Sequence, residues 1–236
     1  MQAGNVKLAA LKAAFPFTIP ILAGFLFLGM AYGVYMNVSG FPFWYPMIMA
    51  AVIFGGSLEF VTVSLLLSPF APVATFLLAF MIQARHLFYG IAMLDRFKGL
   101  GWKRPYLIFS LCDETFSVNF TAKIPKGIDH GWFMFWVSLL NQCYWVTGAT
   151  LGGILGSCLT FDTKGLDFVM TAMFVVIFLE QWMHEKHHQT AWIGIFSAVL
   201  CLNVFGAEAF MIPTMLLILS ALVLGRKYLE GKVQQS

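Results

Sequence analysis

The residues in this chain best equipped for chemistry are ionisable groups set inside apolar runs. Arg85 and His86 lie in Gln83-Ala84-Arg85-His86-Leu87-Phe88-Tyr89-Gly90, which interrupts an apolar stretch from Ala71 to Leu94. Arg85 and Tyr89 are four apart and share a helix face, as do His86 and Gly90. A guanidinium can grip a carboxylate through two parallel hydrogen bonds, and an imidazole can carry a proton near neutral pH. The alternative for Arg85 is an ion pair that pins two helices. Asp113 and Glu114 are adjacent carboxyls projecting about 100 degrees apart on a helix, so one can face a cavity while the other faces a partner or solvent. Glu59 follows Gly55-Gly56, a natural break where backbone amides come free, and Glu180 sits near the end of its apolar segment, where it can reach the interface. His184-Glu185-Lys186-His187-His188 has the H-E-x-x-H spacing of zinc proteases, but it falls in a short polar turn.

The surroundings of these groups define the class. Of 236 residues, 60% are hydrophobic and only 11% charged, against about 25% charged in soluble domains. The chain is expected to be an all-α polytopic protein of the lipid bilayer. An ionisable group at bilayer depth costs about 2.5–3.5 kcal/mol on insertion scales and therefore faces a protein-lined cavity or a partner charge. A net charge of +3 with no basic, aromatic-interleaved cluster excludes nucleic acid as a partner. Cys112, Cys143, Cys158 and Cys201 are scattered without a C-x-x-C pair, so no metal or cofactor is expected of them.

The elements that must position the site follow from the apolar runs. Phe15 to Tyr35 carries Gly29-x-x-x-Gly33, a spacing that lets helix backbones approach closely. With no cleavable signal expected, this is the first span. Trp44 to Leu67 is expected as a span broken at Gly55-Gly56, followed by 71–94, Trp132 to Ser157, Leu166 to Trp182, Ala191 to Phe205 and Ala209 to Leu224. The stretch 105–122, basic at both flanks, is expected to be re-entrant or half-crossing. That makes about seven transmembrane helices; with the N-terminus outside, ten Lys/Arg fall on one side and three on the other. Met49-x-Ala51 and Leu58-Glu59 recur 121 residues on, and the glycine pair recurs as Gly148-x-x-x-Gly152. The expectation is one transmembrane transporter domain over 1–236 with inverted repeat halves at 14–95 and 132–206, its site where they meet.

Phe54-Gly55-Gly56-Ser57-Leu58-Glu59-Phe60, Ala84-Arg85-His86-Leu87-Phe88-Tyr89-Gly90, Asp113-Glu114-Thr115-Phe116 and Gly165-Leu166-Asp167-Phe168 stand in the order and spacing of the AzlC-type branched-chain amino acid exporters, which the chain resembles from about Ala14 to Leu224. The resemblance implies a multi-pass permease of the bacterial inner membrane, not an enzyme. It would export leucine, isoleucine, valine and related apolar amino acids such as methionine by proton antiport, as the large subunit beside a small hydrophobic AzlD-type partner. In that reading Arg85 or the amides at Gly55 and Gly56 hold the substrate carboxylate. Glu59, Asp113 or Glu114 meets the ammonium or carries the proton, with His86, Tyr89 and Glu180 as further candidates. Where the family usually has glutamine, this chain has Glu59. The alternatives are a transporter or channel for another small solute, and a zinc metalloprotease built on His184, Glu185 and His188.

Overall fold

The computed structural model describes residues 3–158 and 188–210, with single positions and short stretches between 175 and 183 and between 213 and 225. Every regular element among the described residues is helical. The chain forms two compact units, Met1–Leu166 and Asp167–Ser236. The first contains α1 (Ala3–Val38), α2 (Trp44–Val52), α3 (Gly56–Leu67), α4 (Pro72–Met93), α5 (Lys103–Phe109), α6 (Asp113–Thr121) and α7 (His130–Cys158). The second contains α8 (Gln189–Ala209), in which Gly206 leaves helical geometry with φ 73°. Val6–Val38, Pro72–Met93 and Gln189–Gly206 are long and apolar enough to cross a membrane.

The first unit is built on the pair α1 and α7. Small residues face each other along its length. A Cβ at Gly29 would sit 3.0 Å from the Ala149 nitrogen and the Trp145 carbonyl, and one at Gly33 or Gly152 would run into the backbone of Ala149 or Met30. Gly148 lies against Phe25 and Leu26, and Gly156 against Asn37. At the other end, Trp136 Nε1 donates to the Lys7 carbonyl at 3.0 Å. Residue numbers rise together on both helices, so α1 and α7 run parallel. This corrects the expected inversion for the very motifs that suggested it: Gly29-x-x-x-Gly33 and Gly148-x-x-x-Gly152 belong to helices that point the same way and pack on each other.

Between these two lie one return span and two hairpins. From Phe43, beside Gly153, α2 descends until the Ala51 carbonyl accepts from Gln142 Nε2 at 2.9 Å. The chain then turns through Phe54, whose φ of 46° is left-handed, and Gly55. α3 climbs back: Gly56 and Glu59 meet Trp145, then Phe60 stacks on Tyr35 and packs on Tyr32, the residue whose hydroxyl also reaches Met49 of α2. Trp44 to Leu67 therefore doubles back instead of crossing, so this expected span is not one and the seven-span count is not confirmed. Its 24 residues would fit a crossing equally well, and nothing in periodicity sets the direction of a turn at two glycines.

α4 runs the opposite way to α1: Gln83 is beside Gly55 midway, and Met93 is buried with Ala14, Leu107 and Phe133 near the starts of α1 and α7. From there α5 rises, with Lys103 3.6 Å from Asp129 and the Tyr106 hydroxyl donating to Gln142 at 2.7 Å. α6 returns alongside α4, so that Asp113 meets Arg85, Phe116 stacks on Tyr89, and the Asn119 carbonyl accepts from Arg96. The half-crossing expected near 105–122 has this form, broken at Ser110-Leu111-Cys112. The unit thus alternates a span and a hairpin twice, the hairpins entering from opposite faces.

Those faces differ in charge. The start of α1 and the segments 94–102 and 122–129 share one face with Lys7, Lys12, Arg96, Lys98, Lys103, Arg104, Lys123 and Lys126, eight of the nine Lys and Arg in residues 3–158. The opposite loops, 39–43 and 68–71, carry no charge. The ninth is Arg85.

Candidate functional site

The two hairpin tips meet on Arg85. The middle of α4 places its guanidinium between them, where Nη1 donates to Asp113 Oδ2 at 2.7 Å and Nη2 to Ser57 Oγ at 3.1 Å. Asp113 is the first residue of α6, and its charge complements the positive end of that helix. Ser57 is in the first turn of α3. The Arg85 side chain is 37% exposed and that of Asp113 29%, so the pair is half-buried instead of sealed. His86 Nε2 lies 3.9 Å from Asp113 Oδ1, and Tyr89, stacked on Phe116 at 4.6 Å, closes the cluster toward the basic face. Glu114 folds back toward its own amide and the Cys112 thiol and feels the Arg85 charge without a hydrogen bond to it.

Glu59 occupies a different setting. It is fully buried, and Oε1 accepts the Gly55 N–H at 3.0 Å, as the acid of a capping box reaches back to its cap. Trp145 Nε1 donates to both of its oxygens at 3.0 Å. The Gly55 amide, expected to be free for substrate, is therefore already engaged. Both glycines are needed for close approach: a Cβ at Gly55 would overlap the Gln83 amide, and one at Gly56 would press on the Trp145 ring.

Of the residues singled out from sequence, the structure gathers Arg85, His86, Tyr89 and Asp113. It places Glu114 at their edge and Gly55, Gly56 and Glu59 in an adjoining sealed layer. Glu180, His184 and Glu185 fall outside the described residues; His188 stacks on Trp182 with centroids 4.0 Å apart and precedes α8 as its cap. Sequence reasoning missed Ser57 and Trp145. Ser57 carried a signal, being two residues from Glu59 beside the glycine break, whereas nothing near Trp145 marks it apart from other aromatic residues.

Residues 20–159 match the AzlC protein family. A Bacillus subtilis protein named "Branched-chain amino acid transport protein AzlC" is 56% identical over 94% of this chain and 87% of its own length. The chain belongs to the AzlC family. A Haemophilus influenzae "Uncharacterized membrane protein" is 46% identical over 99% of this chain and 96% of its own, and a Helicobacter pylori protein of the same description is 40% identical over 94% and 98%. No solved structure matches. With these relatives and its long apolar helices, this AzlC family member is a membrane protein. The family match ends near Cys158, so it covers both hairpins and all three helices that hold Arg85, Asp113 and Trp145.

Proposed function

We propose that the chain is a multi-pass secondary transporter of the bacterial inner membrane, not an enzyme, that exports leucine, isoleucine, valine and methionine by proton antiport beside a small AzlD-type subunit. The Bacillus relative's name supports the substrate class. The observation that carries the reading is the single guanidinium holding both hairpin tips. Helices α1, α4 and α7 together with the apolar segments 166–182, 191–205 and 209–224 give six crossings. The eight basic residues of the charged face support a cytoplasmic position for that face and for the N-terminus, the reverse of the orientation expected with seven spans.

In this mechanism the substrate carboxylate competes with Asp113 for Arg85, since guanidinium and carboxylate match in two-pronged geometry. The displaced Asp113 carboxylate then meets the substrate ammonium; a proton taken up by Asp113 or Glu114 on the outer side releases that ammonium, and loss of the proton to the inner side lets the ionised Asp113 return to Arg85. Losing the Arg85 link to Asp113 frees the α5–α6 tip from the α2–α3 tip, which couples occupancy to opening. A pocket of apolar residues discriminates one methylene by only about 1–3 kcal/mol, so a family of similar side chains is accepted.

The test is efflux of labelled leucine from vesicles containing the chain, with and without a co-expressed small subunit and with and without a pH gradient. Efflux that rises with the chain and falls when the gradient is collapsed is the expected result. Efflux indifferent to both, with counterflow of a different solute, sinks the branched-chain reading in favour of another small substrate.

A further inference from the structure

The interface between α6 and α7 is polar and buried. Thr115 and Asn119 of α6 and Ser138 and Asn141 of α7 are all buried to 1% exposure or less. The two helices are antiparallel here. Asn141 Nδ2 donates to Thr115 Oγ1 at 3.2 Å, and the antiparallel register set by that bond carries both Asn119 and Ser138 about one turn nearer the basic face. Thr115 Oγ1 is also 3.1 Å from the Cys112 thiol, next to Asp113 and Glu114. The Asn119 Nδ2 and Oδ1, the Ser138 Oγ and the Asn141 Oδ1 have no hydrogen-bond partner in the protein. Each such orphan keeps an uncompensated desolvation penalty unless something binds it.

We infer that these residues form a binding file for internal water, which gives the carboxylates at the α6 tip access to protons from the basic face. The chemistry selects water over a metal cation: the orphans include an amide NH₂ as well as oxygens, and only a ligand that both donates and accepts satisfies the whole set. No carboxylate lies along the file between Thr115 and Asn119 to balance a bound cation. The titratable groups at its tip end are Asp113 and Glu114 on α6 and Cys112, whose thiol is at Thr115, with Arg85 and His86 of α4 against Asp113 and Tyr89 against Phe116. Arg96 closes the basic end, its Nη1 donating to the Asn119 carbonyl at 2.9 Å and its guanidinium lying over the Phe120 ring at 4.9 Å. α7 contributes only the neutral Ser138 and Asn141. A proton moves by relay: each water accepts one proton and passes another on, and at the tip a carboxylate becomes a carboxylic acid. The use of the file rests on the proton-coupled reading above; the file itself stands on burial and orphaned donors and acceptors.

Two measurements test it. Radiolytic footprinting of the full chain in nanodiscs generates hydroxyl radicals from bound water in place. Met134, one turn from Ser138 on the same face of α7 and only 3% exposed, should oxidise at least tenfold faster than Met36, which is also buried, at 0%, but lies at the other end of the unit. Equal inertness of the two overturns the file, whatever the protein transports. In proteoliposomes with a luminal pH dye, Ser138→Ala and Asn119→Leu should each lower leucine-coupled proton movement at least tenfold while leucine–leucine exchange at equal pH stays within about twofold. A parallel fall in both rates overturns the proton route and leaves a structural role. If the unmodified chain exchanges no leucine, the branched-chain reading fails, and the Met134 footprint still decides the file.

Discussion

In the α2–α3 hairpin the acid at the tip, Glu59, is fully buried, capped by the Gly55 amide and clasped by an indole, with Phe60 and Tyr32 packed behind it. In the α5–α6 hairpin the acid at the tip, Asp113, is partly exposed and held by a guanidinium from another helix, with orphaned amides and hydroxyls behind it. Both hairpins end at the same arginine. A buried aromatic layer has one good packing and resists displacement, because a shift of a few tenths of an ångström forfeits dispersion contacts. A neutral, hydrated interface can exchange partners at little cost, because water replaces each lost hydrogen bond. The difference assigns the anchor to α2–α3 and the moving part to α5–α6.

The largest effect expected is at the shared contact. Arg85→Ala should lower leucine transport at least a hundredfold, about 2.7 kcal/mol or more in transition-state terms, with folded yield preserved. Arg85→Lys should recover little, since one ammonium cannot reach Ser57 and Asp113 in the fixed fork of a guanidinium. Labelled-leucine flux beside size-exclusion chromatography checks both, and an Arg85→Lys variant with normal flux would break the competition mechanism. Next is Trp145→Ala, which removes the clasp of the anchor and leaves a cavity against Gly56. It should cost about 3–5 kcal/mol and appear as a large drop in thermal midpoint. A third experiment sets the acids against each other. Asp113→Asn should cut flux about tenfold and barely change the midpoint, whereas Glu59→Gln should shift stability by about 1 kcal/mol by changing one hydrogen-bond partner. The reverse pattern would exchange the roles of the two hairpins.

Much of this arrangement was legible before any coordinates. Arg85 inside an apolar run demanded a counter-charge, and Asp113 was among the few acids able to supply it; the basic flanks of 105–122 gave away its return to the same face. The parallel packing of α1 and α7 was not legible, because a small-xxx-small pair reports close approach without direction. Nor was the α2–α3 turn, since a Gly-Gly break in 24 apolar residues reads alike as a bent span and as a hairpin. The sealed state of Glu59 depended on Trp145, 86 residues away, and no local pattern joins them.

The smallest effect expected concerns how the moving hairpin is tethered. Arg96 is exposed, donates to the last-turn carbonyl of Asn119, and lies over Phe120, contacts each worth about 1 kcal/mol or less at the protein surface. If α6 moves with the hairpin, these contacts hold its lower end while the tip swings, and losing them frees both ends. Arg96→Ala should therefore change the thermal midpoint by no more than about a degree or two, while hydrogen exchange across 113–121 rises several-fold and exchange across 56–67 stays unchanged. A uniform rise in both segments would mean that the hairpins loosen together, and the division between anchor and moving part would have to be abandoned.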